Sequence, residues 1–338
     1  MFERYSRQTV IPEIGIEGQK RLSKSCAVVI GCGALGTVIA SALVRAGVGK
    51  VKIIDRDFIE YHNLQRQILF NEKDIKQNLP KAIAAERYLK EVNSEIIVQG
   101  IVSDVNYSNI EDLVQGADVI LDGMDNLETR FLINDISLKL KIPWVYGGAI
   151  DLSGMTMTII PYETPCLRCI ITGENYGIQG LTCETAGVIS PAPWIVASLQ
   201  ALEAIKILIG STSINRDLVE IDVWANRFKQ LKLHGRRDDC PACVKGNFEF
   251  LDGKFSTRTT QLCGQNSVQV LAPGKINLSF ETLAERLRPA GQVDYNEFML
   301  KVRIGSQEII IFRDGRAIVK DTNDEAYARA FYTKYVGA

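Results

Sequence analysis

The 338-residue sequence lacks the features of a membrane protein or a nucleic-acid-binding protein. Its 39 Lys and Arg residues nearly cancel its 40 Asp and Glu residues, so the net charge of −1 provides no overall field to attract nucleic acid or an anionic membrane. No run approaches about 18 uncharged apolar residues, and residues 1–5 lack the apolar core of a signal peptide. We therefore expect a soluble, cytoplasmic protein without a nucleic-acid or membrane partner, in which local charges hold any acidic substrate.

The composition also argues against a disordered or fibrous chain. Hydrophobic residues make up 46% and charged residues 23% of the sequence, which are ordinary values for a protein with a packed core. The sequence contains no internal repeat and no low-complexity tract. Its length exceeds that of one average domain and fits a large α/β domain followed by a small second domain.

The first half of the sequence alternates between strand and helix patterns. An apolar run at residues 26–30 is followed at once by a glycine-rich turn at residues 31–36 and by apolar residues at helical spacing. A second apolar run covers residues 51–54, and the alternation continues to a strand at residues 144–146. We therefore predict a Rossmann-like, doubly wound sheet of mostly parallel strands.

The pattern changes in the second half. Residues 155–160 and 218–223 flank no short crossover, and we predict that they add antiparallel strands at the edge of the sheet. A largely apolar helix at residues 194–209 is predicted to be buried, and to be too short and too charged to span a membrane. We place the domain boundary between a large domain at residues 1–246 and a small α+β domain at residues 247–338.

The glycine-rich turn has the spacing of a nucleotide-binding loop. Gly31 permits a tight turn, Gly33 lets backbone approach a phosphate, and Gly36 lets the helix pack close to the strand. Asp55, nineteen residues after Gly36 at the end of the second strand, is suited to accept hydrogen bonds from ribose hydroxyls. The alternative is a tight turn in a sheet protein that binds no ligand.

Polar residues after Asp55 favour ATP over a dinucleotide. Arg66 and Lys81 follow where a dehydrogenase ordinarily continues into another strand, and two cations suit a triphosphate. Asp125 follows the fourth predicted strand, at the sheet edge where open α/β sheets bind ligands, and its carboxylate is suited to hold Mg²⁺. Surface ion pairs for Arg66 and Lys81, and a helix cap for Asp125, are the structural alternatives.

Four of the eight cysteines stand in two Cys-x-x-Cys pairs, Cys166 with Cys169 and Cys240 with Cys243. Four thiolates form a closed tetrahedral site suited to Zn²⁺, with no open position for water. We therefore predict a structural zinc that joins two segments separated by 70 residues. A redox disulfide pair or free thiols are the alternatives.

These residues together carry a family resemblance over about residues 1–245. The sequence resembles the ThiF/MoeB/HesA family, bacterial relatives of the ubiquitin-activating enzymes, in an ordered set of motifs: Arg4-Tyr5-Ser6-Arg7-Gln8, the glycine turn, Asp55, Asn63-Leu64-Gln65-Arg66-Gln67, Lys81, Asp125-Asn126 with Arg130, and both cysteine pairs.

The resemblance implies an enzyme that binds ATP and Mg²⁺ and adenylates the C-terminal carboxylate of a small ubiquitin-like sulfur-carrier protein ending in Gly-Gly, with release of pyrophosphate. Such a carboxylate is already ionised and needs no general base, which agrees with the presence of only two histidines. The activated carrier would then serve sulfur transfer, with a possible sulfur-donor protein, in thiamin, molybdopterin or related cofactor biosynthesis.

The resemblance also assigns roles by position. It implies Asp55 at the ribose, Asp125 and Asn126 at the nucleotide and its metal, and Arg7 reaching the phosphates of the neighbouring subunit in a homodimer. Asn63, Arg66 and Lys81 would lie at the phosphates.

Cys183 precedes the proline-led helix and matches a loop cysteine that, in some members of the family, bonds covalently to the activated carrier. A thiolate near a helix amino end has a lowered pKa and is suited to attack an acyl-adenylate. Since cysteine is also among the most commonly buried residues, packing is the alternative for Cys183.

Three function classes remain for this sequence. The favoured one is the adenylyltransferase. A nicotinamide-dependent dehydrogenase accounts for the glycine turn and Asp55 alone, and a catalytically silent module would bind a ubiquitin-like partner without turnover. The C-terminal domain has no assigned role: docking of a carrier or sulfur donor and simple stabilisation stay open.

Overall fold

The computed structural model describes residues 3–172, 186–254, 259–262, 266–271 and 278–337, and it divides into two compact units at residues 1–255 and 256–338. In the first unit the chain forms, in order, α1 Ser6–Thr9, α2 Gly15–Leu22, β1 Cys26–Ile30, α3 Ala34–Ala46, β2 Lys50–Asp55, a 3₁₀ turn Tyr61–Asn63, α4 Glu72–Lys76, α5 Lys81–Val92, β3 Ile97–Val102, α6 Ile110–Val114, β4 Val119–Asp122, α7 Leu127–Leu140, β5 Trp144–Ile150, β6 Ser153–Ile159, α8 Leu167–Ile170, α9 Pro191–Ile209, β7 Leu218–Asp222 and β8 Arg227–Leu231.

The described strands of the first unit form one eight-stranded sheet in the order β3-β2-β1-β4-β5-β6-β7-β8. The strands from β3 to β5 are parallel, and β6, β7 and β8 continue the sheet with antiparallel pairing. The chain reverses the direction of strand order between β1 and β4, where open α/β sheets bind ligands beyond the carboxyl ends of the strands. The predicted doubly wound sheet with antiparallel edge strands is confirmed.

The parallel strands lie in the core because helices follow them on both faces of the sheet. Every residue of β4 is buried, as are the last four residues of β1. Trp144 and Phe131 are among the largest fully buried side chains and belong to the core cluster beside α7. The near-continuous apolar runs of the sequence reflect this burial on both sides.

Helix α9 is a core helix, although its nineteen residues are long and apolar enough to cross a membrane by length and composition alone. The prediction that it is too short and too charged was therefore wrong, because 1.5 Å per residue gives about 28 Å. The prediction of burial is confirmed, since 56% of the apolar segment is buried inside the protein. Its polar side chains are also bound: Gln200 donates to the carbonyl oxygens of Asp122 and Val145, and Glu203 accepts from the backbone of Asn215.

The first unit extends beyond the boundary placed from the sequence at residue 246. Phe250 is buried in the core cluster of the first unit, and Phe248 and Leu251 pack against it. The buried carboxylate of Asp135, on α7, accepts hydrogen bonds from the backbone N–H groups of Phe250 and Leu251 at 3.0 and 3.4 Å. These contacts make residues 248–251 part of the first unit, and the division falls after residue 255.

The second unit is a small α+β structure, as predicted. A six-stranded antiparallel sheet in the order β11-β12-β13-β14-β10-β9 packs one face against two helices and forms a separate core. Its elements are β9 Thr259–Leu262, β10 Ser267–Val270, α10 Phe280–Leu287, β11 Gln292–Tyr295, β12 Met299–Ile304, β13 Gln307–Phe312, β14 Ala317–Lys320 and α11 Glu325–Tyr335.

Candidate active site

The glycine turn between β1 and α3 depends on close backbone packing. Gly31 has a φ of +91°, and a Cβ atom built on Gly36 would lie 1.9 Å from the carbonyl oxygen of Gly31. A Cβ on Gly31 would in turn lie 2.5 Å from the carbonyl oxygen of Gly123, in the loop after β4. Because no side chain fits at either position, Gly31 and Gly36 bring β1, β4 and the start of α3 together.

Gly33 differs, because a Cβ at this position would meet its neighbours only at ordinary van der Waals distance. The nearest atoms to a Cβ built on Gly33 are the carbonyl oxygen of Gly123 at 3.9 Å and Nε2 of Gln67 at 4.0 Å. Gly33 is also the N-cap residue of α3, and no side chain caps that helix. A helix amino end without a side-chain cap attracts anions, so the start of α3 is suited to a phosphate.

Asp55, at the end of β2, is tied to the glycine turn. Its two carboxylate oxygens accept hydrogen bonds from the backbone N–H of Cys32 at 2.6 Å and of Asp57 at 2.7 Å. Burial raises the pKa of Asp55, against the opposing charge of Lys81. Each oxygen retains acceptor capacity, so Asp55 can still accept from a hydroxyl.

Lys81 begins α5 and is buried against a carboxylate that the sequence prediction missed. Its Nζ lies 3.2 Å from Oδ2 of Asp57, and its backbone N–H donates to the carbonyl oxygen of Asp57 at 2.9 Å. Burial opposes the charge, but Asp57, Asp55 and Asp125 outweigh it and raise the pKa of Lys81. The nearby carboxylates therefore favour the charged form of Lys81 at the carboxyl end of the sheet.

Asn63 and Arg66 lie in the loop after the 3₁₀ turn. Asn63 is buried, and its Oδ1 accepts from the backbone N–H of Glu60 at 3.0 Å, which stabilises the turn. The guanidinium of Arg66 donates to the carbonyl oxygen of His62 at 2.7 Å and is partly exposed. The helix α9 holds this loop, because the indole N–H of Trp194 donates to the carbonyl oxygen of Arg66 at 2.8 Å.

Asp125 is exposed in the loop between β4 and α7. The N-cap residue of α7 is not Asp125 but the next residue, Asn126. Asn126 accepts from the backbone N–H of Thr129 at 2.9 Å and so caps α7, which excludes Asp125 as the cap residue. The Asp125 carboxylate raises the pKa of Lys81, although less than Asp57 and Asp55 do. Asp125 is therefore available to bind a cation beside Lys81.

A buried ion pair fixes the loop that carries Asp125. Nε of Arg130 lies 3.0 Å from Oδ2 of Asp122, and the guanidinium also donates to the carbonyl oxygens of Met124 and Gly147 at 2.5 and 2.7 Å. The second carboxylate oxygen of Asp122 accepts from the backbone N–H of Met124 at 2.9 Å. Arg130 therefore has a positioning role within this chain.

One predicted site residue, Arg7, is not brought to this group within the single chain, and one lies outside the described residues. Arg7 lies on α1 and is exposed at the surface. Cys183 falls outside the described residues. The glycine turn, Asp55, Lys81, Asp125 and the Arg66 loop do lie at the carboxyl edge of the sheet, around β1, β2 and β4.

Asp57 and Gln67 are the polar residues of this site that the prediction did not single out. Asp57 follows Asp55 by two positions. A second carboxylate directly after a buried strand could have predicted an ion pair with a buried lysine, as Asp57 forms with Lys81. Gln67 is 4% exposed, and its orientation toward Gly33 depends on the fold of the loop. No local pattern in the sequence reveals that orientation.

The four predicted zinc ligands converge in one cluster, with all four sulfur atoms within 4.8 Å of one another. The Cys166–Cys240 and Cys169–Cys243 sulfur distances are 3.6 and 3.5 Å, and the Cys166–Cys169 distance is 3.9 Å. A tetrahedral zinc with Zn–S bonds of about 2.3 Å separates its sulfurs by about 3.8 Å. The donor set therefore fits a closed zinc site.

The cluster is connected to the core by Arg168, the residue before Cys169. Arg168 is buried, and its guanidinium carbon lies 5.5 and 5.4 Å from the ring centroids of Phe131 and Phe250, which contact each other. Arg168 also forms an ion pair with Glu249 at 3.1 Å. The cluster thus holds the end of the first unit to α7 and α8.

Comparison with known proteins agrees with this arrangement. The ThiF family profile matches residues 5–242. The chain belongs to the ThiF family. This assignment confirms the resemblance drawn from the motifs and excludes the nicotinamide-dependent dehydrogenase.

Two curated relatives and one solved structure illustrate the similarity. The chain is 43% identical over 339 residues to the sulfur carrier protein ThiS adenylyltransferase of Bacillus subtilis, covering 100% of each chain. It is 33% identical to the SAMP-activating enzyme E1 of Haloferax volcanii, covering 74% of this chain and 92% of that one. A crystal structure of E. coli MccB with AMPCPP and MccA is 25% identical with a TM-score of 0.62, covering 71% of this chain and 74% of that one.

These relationships establish the reaction class. The chain is an adenylyltransferase of a family that uses ATP, and the silent binding module is thereby excluded. The identity of the substrate and the roles of individual side chains are separate questions.

Proposed function

We propose that this enzyme adenylates the C-terminal carboxylate of a small ubiquitin-like sulfur-carrier protein that ends in Gly-Gly. The observation that carries the proposal is the identity of 43% over both complete chains with a sulfur carrier protein ThiS adenylyltransferase. The charges at the carboxyl edge of the sheet support it, because a buried ammonium and a helix amino end suit a triphosphate. The MccB structure, which contains the ATP analogue AMPCPP, also supports ATP as the nucleotide.

The extent of the matches favours a ThiS-like carrier, and hence thiamin biosynthesis, over a molybdopterin carrier. The Bacillus subtilis relative matches the entire chain, including the second unit. The adenylyltransferase and sulfurtransferase MOCS3 of Xenopus laevis is 34% identical over only 71% of this chain, and the chain covers 53% of that protein. Because the Bacillus subtilis enzyme and this chain are similar over the second unit as well, we propose that both act on the same kind of carrier.

In the proposed reaction, the enzyme positions the two substrates and stabilises the charge that develops on the phosphates. A carboxylate oxygen of the carrier attacks the α-phosphorus of ATP, a new C–O–P bond forms, and the bond to the β-phosphate oxygen breaks with its electron pair leaving on pyrophosphate. Lys81, Arg66 and the amino end of α3 would offset the negative charge that accumulates on the phosphoryl oxygens. Asp55 would accept hydrogen bonds from the ribose, and Asn63 and Asn126 would fix the loops that border the nucleotide.

Asp125 would hold Mg²⁺. An exposed carboxylate beside Lys81 is the kind of ligand that Mg²⁺ uses together with substrate phosphates. When bound, Mg²⁺ would neutralise charge on the phosphates and on departing pyrophosphate. Gly31, Gly33 and Gly36 would shape the loop that receives the phosphates.

We infer that the enzyme acts as a homodimer, in which Arg7 reaches the phosphates in the partner subunit. The exposure of the following residues supports a partner subunit. Arg7 is exposed and distant in sequence from the other site residues, and apolar side chains are exposed on the same part of the chain and on α9, namely Val10, Ile11, Ile16 and Leu202.

We further propose that Cys183 forms a covalent bond with the activated carrier before a donor protein supplies sulfur. Thiolate attack on the acyl-adenylate would form a thioester and release AMP. The reaction would take place in the cytoplasm, where ATP is available and thiols stay reduced.

ATP–pyrophosphate exchange tests the proposal. We expect exchange of labelled pyrophosphate into ATP only when a Gly-Gly carrier is present, and faster exchange with a ThiS-like carrier than with a molybdopterin carrier. The matched control is the same carrier without its last glycine. Equal exchange with both carriers would contradict the thiamin assignment, and no exchange with any Gly-Gly carrier would contradict the function.

A further inference from the structure

Two side chains at the amino end of α9 hold the loop that carries Arg66. The indole N–H of Trp194 donates to the carbonyl oxygen of Arg66 at 2.8 Å. The hydroxyl of Ser190 donates to the carbonyl oxygen of Gln65 at 2.6 Å, and the Oε1 atom of Gln65 lies 3.0 Å from the same hydroxyl. One helix end therefore binds two successive residues of the loop.

The stability of α9 does not explain these two contacts. Ser190 is the N-cap residue of α9, where a serine hydroxyl ordinarily accepts a hydrogen bond from the first turn, but its side chain makes no capping hydrogen bond. Trp194 is 37% exposed, whereas Trp144 is fully buried in the core. Side chains that depart from a local preference are expected at functional positions. Ser190 and Trp194 thus serve the loop rather than the helix.

The amino end of α9 is a rigid support. Gln200, farther along the helix, donates to backbone carbonyl oxygens of β4 and β5 at 2.9 and 3.0 Å. Just before the helix, the backbone N–H of Asp151, in the turn between β5 and β6, donates to the carbonyl oxygen of Gly187 at 2.8 Å. The N–H of Ile189 donates back to the carbonyl oxygen of Asp151 at 3.1 Å. The segment that holds the Arg66 loop is therefore fixed to the sheet on both sides of Ser190.

The loop borders the candidate phosphate position. Nε2 of Gln67 lies 4.0 Å from a Cβ built on Gly33, the N-cap residue of α3, so the loop contacts the uncapped start of that helix. The guanidinium of Arg66 donates to the carbonyl oxygen of His62 at 2.7 Å and is partly exposed. Because the Arg66 side chain is long, the position of its backbone decides which phosphate oxygens it reaches, and a fixed backbone reduces the entropy lost on binding.

We propose that Ser190 and Trp194 are positioning residues, which fix the backbone at Arg66 so that its guanidinium meets the phosphates of ATP. The inference rests on the proposed adenylation and on the proposed role of Arg66. In this role neither side chain contacts a substrate, and both act through Arg66. The guanidinium then stands in place before negative charge develops on the phosphoryl oxygens, so no reorganisation is needed during the reaction.

The first test removes both hydrogen bonds and keeps an aromatic ring on the helix. We expect Ser190→Ala/Trp194→Phe to lower kcat/KM for ATP–pyrophosphate exchange about 30-fold, which is the loss expected for two hydrogen bonds of ordinary strength. Tm should change little, because neither side chain belongs to the core. Wild-type kcat/KM in this double variant would overturn the proposal.

The second test asks whether the effect passes through Arg66. We expect Arg66→Ala to lower kcat/KM about 100-fold. In the Arg66→Ala background, Ser190→Ala/Trp194→Phe should cost at most about 2-fold more, since no guanidinium is left to position. A merely structural role would give the same loss in both backgrounds and would overturn the proposal, as would wild-type activity of Arg66→Ala. The same cycle measured on the dissociation constant for ATP requires no turnover.

Ser198→Ala is the matched control for the serine. Ser198 lies on the exposed side of the same helix, and its hydroxyl donates to the carbonyl oxygen of Trp194 at 2.8 Å, within α9. It should leave kcat/KM unchanged, and a loss as large as that of the double variant would show a general effect of α9 and overturn the proposal. Absence of carrier-dependent exchange in the wild-type enzyme would instead overturn the proposed function.

Discussion

At the scale of single residues, the paired charges at the carboxyl edge of the sheet decide what the site can bind. Lys81 is held by Asp57 at 3.2 Å and stays charged because the nearby carboxylates outweigh its burial. An ammonium fixed in this way needs no reorganisation when charge develops on a phosphate. The carboxylate Asp55 sits beside it and is bound by two backbone N–H groups.

Removal of the Lys81 charge should therefore impair catalysis far more than folding. We expect Lys81→Ala to lower kcat/KM for carrier-dependent exchange about 100-fold or more. Lys90→Ala is the control, because Lys90 lies on the same helix but is exposed and paired with Glu86. Equal activity of the two variants would contradict the role of Lys81.

Asp135 should make stability depend on pH. Burial raises its pKa to about 7, although the N–H groups of Phe250 and Leu251 favour the charged form. The folded protein thus binds a proton that the unfolded chain releases above about pH 4, and stability falls as the pH rises from about 4 to about 7, by up to about 4 kcal/mol. Urea unfolding of zinc-loaded protein at pH 5 and pH 8 measures this effect. Asp135→Asn should reduce the difference between the two pH values, and an unchanged difference would refute the assignment.

At the scale of elements, the turn between β1 and α3 combines two kinds of glycine. Gly36 has no room for a side chain because the turn is packed against its own backbone, whereas a Cβ on Gly33 would meet its neighbours at ordinary contact distances of 3.9 and 4.0 Å. We therefore expect Gly36 to be required for folding and Gly33 to be required for nucleotide binding.

This difference gives a paired prediction. Gly36→Ala should destabilise the protein by several kcal/mol, because its Cβ would lie 1.9 Å from a carbonyl oxygen. Gly33→Ala should fold with a Tm close to that of the wild type but should raise the KM for ATP, because the methyl group would crowd the proposed phosphate position. Thermal unfolding and exchange kinetics of both variants measure the two effects, and a Gly33→Ala enzyme with unchanged KM would count against a phosphate at this position.

The cysteine cluster joins two distant segments, so metal binding should contribute directly to the stability of the first unit. Purified protein should contain one zinc per chain, and Cys240→Ser should lose it and lower Tm by about 10 °C or more, since about 1 kcal/mol shifts Tm by roughly 2–4 °C in a domain of this size. Cys26→Ser is the control, because Cys26 lies outside the cluster. Full stability of Cys240→Ser without metal would contradict the structural role of zinc.

The elements also mark what sequence reasoning could and could not predict. The buried strands β1, β2 and β4 were recognised because burial on both faces leaves an apolar run. The edge strand β8 was missed, since four of its five residues are exposed and no alternation marks it. The short helices α1 and α4 were missed for the same reason, since neither contains a buried residue, and α2 was missed because two of its three buried residues are Gly18 and Gln19 and so leave no apolar pattern. The first unit's extension to residue 255 depends on contacts of Phe250 that only the fold creates.

At the scale of the whole molecule, the match to the ThiF family falls within the first unit, and the second unit lies outside it. The family profile ends at residue 242, whereas the identity with the Bacillus subtilis enzyme continues to the end of the chain. The proposed homodimer and the carrier add surfaces from outside the single chain. The account as a whole therefore depends on whether AMP is transferred to a carrier.

The most direct measurement uses ATP labelled at the α-phosphate, the zinc-loaded enzyme and a Gly-Gly carrier. The account predicts that the label appears on the carrier, that hydroxylamine releases it, and that neither the Lys81→Ala enzyme nor a carrier lacking its last glycine yields labelled product. Label that remains entirely in free nucleotide with every Gly-Gly carrier supplied to the enzyme would contradict the central claim.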